Sequence, residues 1–131
     1  MPRLINSLVF AVFCLGSQIS LCAEWSDTTL VKNQRVNEIT VAALFYASVA
    51  LACGDNRGAT ALKERLLAML RLASKKSALT TDGRETLKNP DHFISLGAGV
   101  FKAKPYIQCD EAENINRQIL QLSDALLNVN N

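Results

Sequence analysis

Ile39-Thr40-Val41-Ala42-Ala43-Leu44-Phe45-Tyr46-Ala47-Ser48-Val49-Ala50-Leu51-Ala52-Cys53 is apolar almost all the way round a helix, broken only by Thr40 and Ser48. A helix that is hydrophobic on every side belongs at the centre of a bundle or in a membrane. A run of about fifteen residues is short for a bilayer span. Gly54-Asp55-Asn56-Arg57-Gly58 then breaks it sharply. The central-helix reading therefore wins, and it sets an expectation for the rest of the chain: other helices must surround this one.

Working outward from it, Ser26 is a candidate N-cap for a first helix reaching about residue 52. Beyond the turn, Ala59, Leu62, Leu66, Met69 and Ala73 repeat at helical spacing, with Lys63, Glu64, Arg65 and Arg71 off the stripe. This predicts a second helix over residues 59–75. Leu67, Leu70 and Leu72 make its apolar surface wider than one neighbour can cover. Residues 77–89 are mostly polar, and Thr81-Asp82-Gly83 reads as a turn, so a surface loop with at most a short helical turn is expected. A third helix is expected to open at Asn89-Pro90 and end before Pro105, with Phe93, Leu96, Val100 and Phe101 as its apolar face. Gly97 and Gly99 flatten its middle, which suits close helix packing or a groove floor. A fourth opens at Asp110-Glu111-Ala112-Glu113 in a capping-box arrangement. It carries Ala112, Ile115, Ile119, Leu122 and Leu126 on one face and stops near Asn128. The fold class is all-α, a small four-helix bundle.

The N-terminus reads differently. Arg3 is followed by an apolar run over residues 8–15 and a small, polar region ending at Ala23. That is the layout of a secretory signal peptide, with cleavage expected after Ala23 or one residue earlier. A retained membrane anchor is the competing reading. The expected organisation is a signal peptide at 1–23 and a helical domain at 24–131, exported to the periplasm. Cleavage removes Cys14 and Cys22, leaving Cys53 and Cys109, which in a small exported domain read as one disulfide. Lipidation at Cys22 is disfavoured because bulky Leu21 precedes it.

The chain holds 14 Lys and Arg, 12 Asp and Glu and a single histidine, His92. Arg3 is the only charge within the first 23 residues, so the remaining domain is close to balance. That leaves no basic footprint for nucleic acid. With one histidine, a nucleophile, base and orienting group are hard to assemble. Cys-x-x-Cys, metal-ligand spacing and a Gly-rich phosphate loop are all missing, so no cofactor or metal is expected. The sequence argues for binding by shape and against catalysis. Apolar surface beyond a packed stripe can receive a partner helix, close the protein's own core, or form a homodimer. Phe45, Leu96, Val100 and Phe101 are the candidate groove residues.

From Ile39 to Leu127 the chain resembles the PulS/OutS-type pilotins of type II secretion. The likeness is carried by the residue 41–53 helix, the Gly54–Gly58 turn, the helix over 59–73, and Lys104-Pro105-Tyr106-Ile107-Gln108-Cys109 leading into the last helix. The Cys53 and Cys109 spacing is similar to that of the family's bridging cysteines. The resemblance implies a four-helix domain with one disulfide and an apolar groove that captures the C-terminal segment of an outer-membrane secretin. It also implies association with the outer membrane, although Leu21 departs from the lipidated members. A periplasmic immunity protein and an acid-stress chaperone are the alternatives.

Overall fold

The computed structural model describes residues 28–130. The expected signal peptide, Ser26, Cys14 and Cys22 lie outside them. The described residues form five helices: α1 (Gln34–Ala52), α2 (Asn56–Lys75), α3 (Thr81–Lys88), α4 (Pro90–Ala103) and α5 (Cys109–Asn130). The all-α expectation is met, with one short helix more than the four expected. α1 lies at the centre, and α2, α4 and α5 pack around it. By length and composition alone α1 could cross a membrane, yet every residue from 37 to 50 is buried within the protein.

The start of α1 corrects the sequence reading. The helix begins at Gln34, not near Ser26, because Asn33 caps it by accepting from the Val36 amide at 3.1 Å. Residues 28–33 are held in place by a buried side chain one turn into the helix. Asn37 Oδ1 accepts from the Leu30 and Val31 amides at 2.7 and 3.0 Å, and its Nδ2 donates to the Thr28 carbonyl at 2.8 Å. Val31 also makes an antiparallel bridge with Leu79. Lys32 donates to Ala78 and Thr80 to Leu30 across it. This strap satisfies backbone groups that burial would otherwise leave unpaired.

α1 ends in a Schellman-type turn, with Gly54 at φ 79° and the Asp55 amide donating to Ala50 at 2.9 Å. Asp55 then caps α2 through the Gly58 amide at 2.9 Å, so α2 starts at Asn56, earlier than the expected Ala59. The predicted stripe holds: Ala59, Leu62, Leu66, Met69 and Ala73 are all buried. The expected loop at 77–89 is instead mostly α3. Thr80 caps α3 by accepting from Gly83 at 3.0 Å, and the Leu30 carbonyl lies 2.0 Å from where a Cβ on Gly83 would stand.

The disulfide joins Cys53, the C-cap of α1, to Cys109, the first residue of α5, with Cα atoms 5.8 Å apart. α5 therefore starts where α1 ends and runs back along it. Its buried seam is Ala112, Asn116, Ile119, Ser123 and Leu126. Ile115 and Leu122 are only half-buried, and two polar residues take places that the apolar pattern did not assign. The helix continues past Asn128. Arg65 of α2 pairs with Asp124 of α5, fastening those two helices at their edge.

Candidate partner-docking face

The four candidate groove residues separate into two pairs. Phe45 and Phe101 are both 4% exposed and belong to the core. They are corrected from groove to core because Tyr106, on the link between α4 and α5, reaches between them. Its ring stacks on Phe45 at 5.3 Å and meets Phe101 edge-on at 5.1 Å. Phe45 also meets Tyr46 edge-on at 5.0 Å. Burial pushes the Tyr46 and Tyr106 hydroxyls well above the usual tyrosine range, with the nearby Glu111 charge adding to the effect at Tyr46. Both stay neutral at any physiological pH. The cluster locks α1, α4 and the intervening link together, and it leaves no room for a partner.

Leu96 and Val100 are 54% and 62% exposed. They lie a helical turn apart on the outer face of α4, whose inner face is Ile94, Ala98 and Phe101. The sequence reading named both among the candidate groove residues, and the structure leaves both outside the core. Phe93 lies half-buried at the boundary between the two faces, and His92 meets its ring edge-on at 5.2 Å. Ser95, Gly99 and Ala103, all small, are exposed around the outer pair.

The two glycines of α4 have different settings. A Cβ on Gly97 would lie 2.4 Å from Ser48 Oγ and 2.7 Å from Ser48 Cβ, so this glycine is what lets α4 approach α1 closely. A Cβ on Gly99 would meet nothing within 4 Å. A helix-interior glycine costs about 1 kcal/mol relative to alanine. Packing against α1 accounts for that cost at Gly97, and nothing among the described residues accounts for it at Gly99.

Lys88 ends α3, Lys102 lies in the last turn of α4 and Lys104 caps α4; all three are exposed. Asp91, in the first turn of α4, is paired with Lys63 of α2 at 2.6 Å. Among the described residues, Lys88, Lys102 and Lys104 form no ion pair.

Elsewhere, an open hollow on the outer side of α2 is lined by Asn56, Arg57, Thr60, Ala61 and Glu64. Glu38 is the one buried carboxylate of α1. Desolvation raises its pKa, a hydrogen bond with Gln34 opposes the shift, and Oε2 has no partner. Asn37 and Glu38 escaped the sequence reading, although a polar pair entering an apolar helix was the signal that could have marked them. No family model matches the chain, and neither the curated proteins nor the solved structures contain a match.

Proposed function

We propose that the protein is an exported, non-catalytic binding protein whose α4 outer face holds an amphipathic segment of another protein. The observation that carries this reading is the adjacency of exposed Leu96 and Val100 around Gly99, on a helix whose inner face is fully packed. The resemblance to pilotins makes the C-terminal segment of an outer-membrane secretin the proposed partner, held in the periplasm during delivery. Residues 37–50 of α1 are buried, so the segment lies on α4 and not in a groove floored by the middle of the central helix.

Magnitudes limit what this face does alone. Covering the exposed halves of Leu96 and Val100 contributes about 1–2 kcal/mol each. Association and the ordering of a disordered segment cost at least several kcal/mol. Apolar contact at this face therefore needs support from polar or charged contacts around it.

Circular dichroism during titration with a secretin C-terminal peptide tests the reading. Peptide helicity should rise to saturation, and Leu96→Ser should abolish the rise without altering the protein's own melt. Unchanged helicity at saturating protein would reject secretin capture.

A further inference from the structure

We infer that the Cys53–Cys109 bridge is a redox latch on the first turns of α5: its reduction lets residues 109–118 leave α1 while α5 from Ile119 onward and the other helices stay packed. The device does not depend on what α4 binds. The two halves of α5 are held differently. In the second half, Ile119 and Leu126 are buried, Leu120, Leu122 and Leu127 pack partly against the core, and Asp124 pairs with Arg65 of α2. Over residues 109–118 the buried side chains are Ala112 and Asn116, with Ile115 half-buried. Ala112 contributes little apolar area. Asn116 Oδ1 is buried without a hydrogen-bond partner among the described residues, which favours opening to water. Just before this stretch, Tyr106 is anchored between Phe45 and Phe101. The bridge thus stands where packing is thinnest, between two firm anchors.

While the bridge is closed, Cys109 is tied to the C-cap of α1 and the first turn of α5 cannot leave it. Opening takes a dithiol reductant. Cys109 is exposed and Cys53 half-buried, so the reductant meets the bridge from the Cys109 side. One reductant thiolate attacks the Cys109 sulfur, forms a mixed disulfide and expels the Cys53 thiolate, which takes up a proton. The second reductant thiolate closes the reductant's own disulfide and releases the Cys109 thiolate, which is protonated in turn. Two electrons and two protons pass to the pair. The freed turns then open locally, as weakly packed segments do. They uncover the flank of α1 at Tyr46, the residue on which the Glu111 charge acts.

Amide hydrogen exchange on the folded protein, oxidised and in dithiothreitol, tests the latch. Reduction should cut protection at residues 112–118 by at least about a hundredfold, and at residues 119–127 and in α2 by less than about tenfold. Reoxidation should restore it. Asn116→Leu should recover much of the lost protection under reduction, because an apolar side chain gains from staying buried. Unchanged protection at 112–118 on reduction would overturn the latch, since packing alone would then hold these turns. Equal loss across all the helices would also overturn it, making the bridge a global staple. An opening that Asn116→Leu leaves as wide would overturn the polar seam as its cause.

Discussion

α1 and α4 are both rich in apolar residues, yet they end in opposite settings. α1 is enclosed by α2, α4 and α5, and all its positions from 37 to 50 are buried. α4 packs chiefly on α1, and only Ile94, Ala98 and Phe101 are buried. Apolar composition states that a side chain gains from cover; topology decides whether the chain itself supplies that cover. For α1 it does. For α4 it supplies half, and Leu96 and Val100 remain available to something else.

The enclosure of α1 is broken most severely by releasing its C-terminal end from α5. The double variant Cys53→Ser, Cys109→Ser opens a covalent loop of sequence separation 56. Loop-closure entropy puts the loss at about 4 kcal/mol, which for a domain of this size lowers the melting temperature by roughly 15 °C or more. A thermal melt under non-oxidising conditions measures this directly. Equal melts would mean that packing alone encloses α1.

The next effect lies where the two helices meet. Gly97→Ala places a methyl group against Ser48, which lies on the packed centre of α1. Overpacking of this kind costs about 1–3 kcal/mol, readable as a lower urea midpoint. Adding Ser48→Gly should recover a large part of the loss, because the two sites share one contact. A Gly97→Ala variant as stable as the parent would remove the close approach of α4 to α1.

The two helices also differ in how legible they were. The central place of α1 follows from its unbroken apolar circumference, and the α2 stripe was read residue by residue. The apolar face expected for α4, Phe93, Leu96, Val100 and Phe101, is split by the structure, because the sequence supports one stripe through Phe93, Leu96 and Val100 and another through Ile94, Ala98 and Phe101. Helical periodicity favours neither, and only the position of α1 selects the second. Phe45 and Phe101 went to the core for a similar reason, since Tyr106 arrives from a link that no periodicity describes. α3 was hidden because its buried residues are Gly83 and Thr86, which form no apolar pattern. The late start of α1 depends on Asn37 bonding to residues in an extended strap, a contact that local propensity does not encode.

A smaller effect separates the buried faces by charge. Glu38 is 7% exposed and its pKa is raised, chiefly by desolvation. The unfolded carboxyl ionises near its ordinary value, about 4.3, while the folded one retains its proton to higher pH. Stability from this group is therefore fullest below the unfolded pKa and is lost as pH rises through the folded pKa. Glu38→Gln should raise stability at neutral pH by on the order of 1 kcal/mol. The gain should vanish as the parent is acidified below about pH 4. A gain that persisted there would show that charge burial is not its cause. The direction also bears on the acid-stress alternative: acidification relieves Glu38, whereas a chaperone that opens in acid needs buried groups that acid disrupts.

The smallest expected effect gives the cleanest contrast. Gly99→Ala is the same substitution as Gly97→Ala on the same helix, but the new methyl meets nothing within 4 Å. Higher helix propensity should then stabilise the protein by up to about 1 kcal/mol, so the two urea midpoints should fall on opposite sides of the parent. The same variant should weaken binding of the secretin peptide if Gly99 lies under the docked segment, because the new methyl would stand in its way. Stability gained at the expense of docking would explain why a glycine stands at a position where folding alone favours alanine. If Gly99→Ala instead lowered the midpoint, the outer face of α4 would have to be covered in the folded protein, and the asymmetry between α1 and α4 would disappear.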